Sequence, residues 1–278
     1  MFGEHAVVYG KPGIAMAIKP RVFVTVRKTR RPQRAKSPYI DGCFDAMGVV
    51  GSVYINSQIP SSSGLGSSAA VTVATLSAIN DEFAVGKSRE DIANMAFEIE
   101  KTVQKGRASP TDTTVSAFGG IVLITGGSRR RLPPQNMHLV IGDSMVSHST
   151  AKMVEQVADL KKHNPEIVNP ILDAIEGVSF AAIHHMNNPK ELGRYMNMNH
   201  ALLDALGVGH PQLSRLVLAA RSAGAFGAKI TGAGGGGCMV ALCAKPVQHR
   251  VAHAIQACDG RAIVTGIDTE GTRKEKNV

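Results

Sequence analysis

Ser61-Ser62-Ser63-Gly64-Leu65-Gly66-Ser67-Ser68 stands between two apolar segments of different periodicity. Upstream, Val49 to Ile59 alternates and carries Val, Tyr and Ile, the pattern of a strand. Downstream, Ala69 to Phe83 is small and apolar nearly all round, the pattern of a buried helix. The order is therefore strand, serine-glycine loop, helix N-terminus. The first N–H groups of a helix lack intrahelical partners and sit at the positive end of its dipole, which suits a phosphate. Glycines let the backbone approach such an anion, and serines add hydroxyls. Mg²⁺ takes few protein oxygens beside phosphate and water, so one hydroxyl and one carboxylate would hold it. A flexible surface turn is the alternative reading of the same residues.

Two familiar glycine motifs fit poorly. A Walker loop needs Gly-x-x-x-x-Gly-Lys-Ser/Thr. The nearest candidate, Gly86-Lys87-Ser88, has Asp81 where the first glycine belongs. Gly64-x-Gly66-x-x-Ala69 and Gly232-x-Gly234-x-x-Gly237 match a dinucleotide fingerprint, a weak signal alone. The second is followed by a strand-like run, Cys238 to Cys243, where a dinucleotide fold needs a helix.

A helix is expected over Arg89 to Gln104, capped by Ser88, with Glu90 and Asp91 in its first turn. Ile92, Met95, Ala96, Ile99 and Val103 form its apolar stripe. Glu98 faces away, while Glu100 lies about 80° from Ile92, on the shoulder of the buried face, where it can reach a cleft. Asp112 follows in Ser109-Pro110-Thr111-Asp112-Thr113. A carboxylate there either caps a turn or helix or accepts a hydroxyl proton. Phe118 to Thr125 reads as a strand, and the basic stretch Ser128 to Pro134 breaks the pattern. A domain boundary is expected near residue 135, giving parts 1–135 and 136–278. Strands are expected at 139–141, 226–231, 238–243 and 261–266. Helices are expected at 150–162, 166–186, 190–206, 211–223 and 247–257. The mixture indicates an α+β chain in two parts.

Composition narrows the function classes. The 278 residues, 44% hydrophobic and 19% charged, suffice for a buried core without structural metal. No uninterrupted apolar run has the length of a membrane-spanning helix, and Met1-Phe2-Gly3-Glu4-His5 is not a secretory leader. Lys and Arg number 31 against 22 Asp and Glu, a net charge of +9 that favours anionic partners. Two clusters, Arg27 to Lys36 and Arg129 to Arg131, read equally well as solvated loops. Aromatics are 4% with no Trp, too few for base stacking, so no nucleic acid is expected as a partner. Cys43, Cys238, Cys243 and Cys258 have neither zinc-site nor disulfide-framework spacing and read as thiols of a reducing compartment. The expected location is the cytoplasm, without membrane association.

Taken together, the segments resemble the GHMP family of small-molecule kinases over almost the whole chain. Gly3-Glu4-His5-Ala6-Val7-Val8-Tyr9-Gly10-Lys11-Pro12 is similar to the form of the first family motif found in members acting on mevalonate. Pro60 with Gly64-Leu65-Gly66-Ser67-Ser68-Ala69-Ala70 is similar to the phosphate loop, and Lys229 to Cys238 to the third motif. Leu206-Gly207-Val208-Gly209-His210 adds to the likeness. The resemblance implies a two-domain fold: an N-terminal α/β domain, a ferredoxin-like C-terminal domain, and the active site in the cleft between.

It also implies roles. ATP would lie on Pro60, Ser61, Ser62, Ser63, Gly64, Leu65, Gly66, Ser67, Ser68, Ala69 and Ala70, and on Gly232, Ala233, Gly234 and Gly235. Ser68 and Glu100 would hold Mg²⁺. Asp112 matches the catalytic aspartate. Glu4, His5, Asp112 and Thr150 would contact the substrate, and His148 stands where relatives often carry Arg. The implied reaction moves the γ-phosphate of ATP to the 5-hydroxyl of (R)-mevalonate, with a homodimer as a candidate assembly. Family members acting on phosphomevalonate or homoserine are the near alternative, a dinucleotide-dependent oxidoreductase the remote one. The family's first motif opens with Pro-Gly-Lys, which would fall just before Met1, so the true start is expected further upstream.

Overall fold

The computed structural model describes residues 1–33, 36–60, 64–106 and 108–275. After a single 3₁₀ turn (Ala6–Tyr9) come β1 (Gly13–Met16), β2 (Val22–Lys28), α1 (Pro38–Met47), β3 (Gly51–Ser57), α2 (Ser67–Phe83), α3 (Arg89–Val103) and α4 (Pro110–Phe118). The chain continues through β4 (Ile121–Thr125), β5 (Ser128–Leu132), β6 (His138–Asp143), α5 (Thr150–His163), α6 (Pro165–His184), α7 (Pro189–Ala205) and α8 (Pro211–Ser222). It closes with β7 (Gly227–Ile230), β8 (Cys238–Cys243), α9 (Gln248–Gln256) and β9 (Arg261–Gly266).

The strand–loop–helix unit forms as its sequence pattern requires. β3 pairs antiparallel with β2, setting Val53 opposite Val26, and both are buried. α2 buries Val73, Leu76 and Ile79 against Phe44 of α1 and Ile92, Ala96 and Ile99 of α3. α3 begins with a reciprocal cap: the Ser88 hydroxyl accepts from Asp91 N–H, while the Asp91 carboxylate accepts from Ser88 N–H. Such pairing satisfies two donors that would otherwise be orphaned.

Two expectations need correction. Phe118 ends a helix rather than opening a strand: Ser109 caps α4, Pro110 occupies its first turn, and Gly119 stops it at positive φ. The run Thr113-Thr114-Val115 is β-branched and so disguises this helix in the sequence. Ser128 to Leu132, expected to break the pattern, is instead β5, the partner of β4 in the sheet β1-β4-β5. Its arginines lie on a sheet edge, where charged side chains are tolerated and blunt further pairing. Arg129 reaches Asn94 at 2.9 Å and Glu90 at 3.7 Å. Likewise Arg27 and Lys28 belong to β2 rather than to a loop.

The C-terminal half is one antiparallel sheet of order β7-β8-β6-β9, with β6 between β8 and β9. A helical connection joins β6 to β7 and α9 joins β8 to β9, the split βαβ arrangement of ferredoxin-like folds. Val140, Ala228, Met239 and Ala241 of the sheet share one apolar cluster with Leu213, Leu216 and Val217 of α8 and Val251 and Ile255 of α9. Among the described helices, α6 is long and apolar enough to cross a membrane by length and composition. Its Val168, Leu172, Ile175, Val178 and Ala182 are buried in the protein core, and Glu176 and Asp173 pair with Lys11.

Candidate active site

α2 starts without a side-chain cap, as do α1, α6 and α9. Ser88, Ser109, Ser149, Asn188 and His210 cap α3, α4, α5, α7 and α8 with their side chains. The N-cap of α2 is Gly66, at φ 66°, which has no side chain to offer. The first-turn N–H groups of α2 thus keep their capacity to receive an anion. They open on a cleft of about 680 Å³ lined from both halves of the chain. Gly64, Gly66, Ser67, Ser68, Glu100 and Asp112 form one wall, and His148, Thr150, Thr231, Gly232 and Ala233 the other.

Glycine is required where the walls meet. A Cβ on Gly232 would stand 2.9 Å from Gly64 O, and one on Gly66 would stand 3.2 Å from the Asp112 carboxylate. The two glycine motifs, distant in sequence, therefore pack backbone to backbone, and the phosphate loop passes directly over Asp112.

Ser68, in the first turn of α2, donates its hydroxyl hydrogen to Glu100 Oε1 at 2.7 Å. Glu100 is 4% exposed. Burial, with repulsion from Asp112, pushes its carboxyl up to about 7 against the Ser68 hydrogen bond. Asp112 opens on the cleft, and desolvation by the surrounding walls raises its pKa above the ordinary carboxylate value. Asp112 sits in the first turn of α4 but is not its cap, since Ser109 holds that place. Two neighbouring carboxylates with raised pKa, Glu100 buried and Asp112 open to the cleft, make a site that favours a cation or a proton donor.

On the opposite side, His5 is 6% exposed and its Nε2–H donates to Ala233 O at 2.9 Å. Burial lowers its pKa, so the ring is neutral at pH 7. Glu4 lines the cleft, yet both its carboxylate oxygens are engaged: Oε1 by Lys229, Oε2 by Asn199 Nδ2 at 3.0 Å. Burial opposes its ionisation, but Lys229 and the chain's amino terminus outweigh that and hold the carboxyl down at about 2. Thr150 opens α5 at the cleft surface, beside His148.

Of the remaining expected contacts, Ala69 of α2 is fully buried. Leu65 and Ala70 line a cavity of about 180 Å³ that adjoins the cleft and shares Gly64, Gly66, Asp112 and Thr231 with it. Gly235 donates to Val208 O at 2.8 Å, and Gly234 also abuts that carbonyl, so both pack against the α7–α8 connection. Pro60 precedes the loop, and Ser61, Ser62 and Ser63 lie outside the described residues. Tyr39, on α1, is a cleft residue that sequence reasoning missed: it lines the same wall as Ser68 and Gln104, and burial raises the pKa of its phenol. Nothing local marks it, because a Tyr near the start of an amphipathic helix ordinarily packs in the core.

This geometry is that of a phosphate-transfer cleft, and the chain belongs to the GHMP kinase family. The family's N-terminal domain matches residues 36–120 and its C-terminal domain residues 179–259. The chain is 40% identical to a mevalonate kinase of Thermococcus sibiricus, over 99% of this chain and 95% of that protein. The crystal structure of the Methanococcus jannaschii mevalonate kinase superposes with a TM-score of 0.83 at 27% identity, covering 96% of this chain and 95% of that one. An L. major mevalonate kinase in complex with R-mevalonate shares the fold with a TM-score of 0.85 at 23% identity, covering 98% of this chain and 94% of that one.

Proposed function

We propose that this chain transfers the γ-phosphate of ATP to the 5-hydroxyl of (R)-mevalonate, giving 5-phosphomevalonate and ADP. The observation that carries the reading is the position of Asp112. It lines the open cleft beneath Gly66, near the Ser68–Glu100 pair, in a protein whose full-length relatives are mevalonate kinases.

Phosphoryl transfer is mostly positioning and charge neutralisation. The uncapped N–H groups of α2 and the backbone of Gly64 and Gly66 receive the nucleotide phosphates. Asp112 orients the attacking hydroxyl and takes its proton, a role that suits a carboxyl open to the cleft whose pKa is raised by desolvation. His5 and Thr150 hold the acceptor substrate. The donor set of Ser68 and Glu100 fits Mg²⁺: two hard oxygens 2.7 Å apart, one belonging to a carboxylate whose pKa is raised by burial and by repulsion from Asp112. Bound there, the ion would neutralise phosphate charge. The net charge of +9 draws two anionic substrates to the protein.

A coupled ADP-release assay against mevalonate, phosphomevalonate and homoserine tests the reading. Turnover dependent on mevalonate is expected. Turnover of homoserine or phosphomevalonate in preference to mevalonate would overturn it.

A further inference from the structure

Lys229 is the last residue but one of β7 and is completely buried, so it can touch neither substrate. Its ammonium nevertheless has two acceptors, the Glu4 carboxylate and Ile230 O at 2.5 Å. A lone ammonium in such a place would be expelled by its desolvation cost, and the pairing is what retains it. The other oxygen of Glu4 accepts from Asn199 of α7. Glu4 is thereby fixed from two sides, by β7 and by α7. The next residue, His5, stands at φ 61°, an unusual backbone state for a non-glycine residue that persists only when its surroundings over-determine it. Its ring then has one orientation, with Nε2–H on Ala233 O, which leaves Nδ1 as its remaining hydrogen-bonding atom.

We infer that Lys229 is a positioning residue: through Glu4 it fixes the turn that presents His5, and so sets affinity for the acceptor substrate without setting affinity for the nucleotide. The inference rests on the mevalonate reading above. The nucleotide side is independent of it, because the phosphate loop meets the third motif by backbone contact at Gly64 and Gly232. The Ser68–Glu100 pair contains none of these groups either.

The test uses Lys229→Met and the double variant Glu4→Gln/Lys229→Met. The first strands a buried carboxylate. The second removes both charges, and its amide oxygen can still accept from Asn199. Calorimetry gives the dissociation constants of (R)-mevalonate and of ADP, and the imidazole NMR signal of His5, assigned by its loss in His5→Asn, reports the ring. A displacement of the ring by about 1 Å predicts a mevalonate affinity lower by about 10-fold or more. ADP affinity should be unchanged, and the His5 signal should shift. Should Lys229→Met fail to fold, the double variant decides. Unchanged mevalonate affinity in a folded variant, or ADP affinity falling in step with it, would overturn the inference. If the wild-type chain itself binds no mevalonate, the substrate reading fails instead, and an unmoved His5 signal would overturn the positioning role.

Discussion

The Ser68 hydroxyl meets Glu100 Oε1 at 2.7 Å, joining the first turn of α2 to the last turn of α3. Neither residue is chemically unusual alone. Held together, with Glu100 buried and Asp112 near enough to repel, they leave the Glu100 carboxyl with a pKa pushed up to about 7.

Glu100 therefore makes stability depend on pH. Between its ordinary value of 4.5 and about 7, the folded chain holds a proton there that the unfolded chain has lost. Stability contributed by that proton is complete below the ordinary value and is lost as pH rises through about 7. Glu100→Gln should thus match the wild type near pH 4 and exceed its stability at pH 8 by about 3 kcal/mol. Urea titrations at both pH values measure this, and equal stabilities at pH 8 would remove the uncompensated carboxylate.

Asp112→Asn keeps the shape and loses the base. Turnover should fall by at least about 10²-fold, the scale of a lost general base. Nucleotide binding should be nearly unchanged, because the phosphates rest on backbone groups of the loop. Steady-state kinetics beside ADP calorimetry separate the two effects. Near-normal turnover would leave Asp112 as a helix-turn residue only.

Gly66→Ala asks whether the loop must lie against Asp112. The methyl group would stand 3.2 Å from the carboxylate, at a φ of 66° that costs a non-glycine residue about 1–2 kcal/mol. Both terms act on the loop, so nucleotide affinity and turnover should fall together. The comparison with Gly86→Ala is informative, since that glycine also has positive φ but no atom within 4 Å of its would-be Cβ. Gly86→Ala should lose stability through strain yet keep nucleotide affinity.

Ser88→Ala tests the scaffold rather than the site. Losing the cap of α3 should cost about 1 kcal/mol, read as a lower melting temperature. Glu100 lies at the far end of the same helix, so turnover at a temperature below unfolding should persist. A large loss of turnover would mean that α3 shifts as a rigid body when its start frays.

Much of this fold is legible residue by residue. The alternation before the serine-glycine loop, the apolar helix after it and the capping box at Ser88 depend on neighbours a few positions away, and the chain cannot alter those. The elements from β6 to β9 follow their apolar periodicity for the same reason, and the motif residues Gly64, Gly66, Ser68, Glu100 and Asp112 line one cleft. β5 was not legible, because an arginine-rich strand forms only when β4 offers it a backbone edge. Nor was the engagement of Glu4, whose partners Lys229 and Asn199 lie at the far end of the chain. The contact of Gly64 with Gly232 and the raised pKa values of Glu100 and Asp112 belong with these. Hydrogen-bond pairing across the chain, burial and repulsion between carboxylates are properties of distance in space. Sequence spacing sets the local conformations, and only the packing of one half of the chain on the other sets those distances.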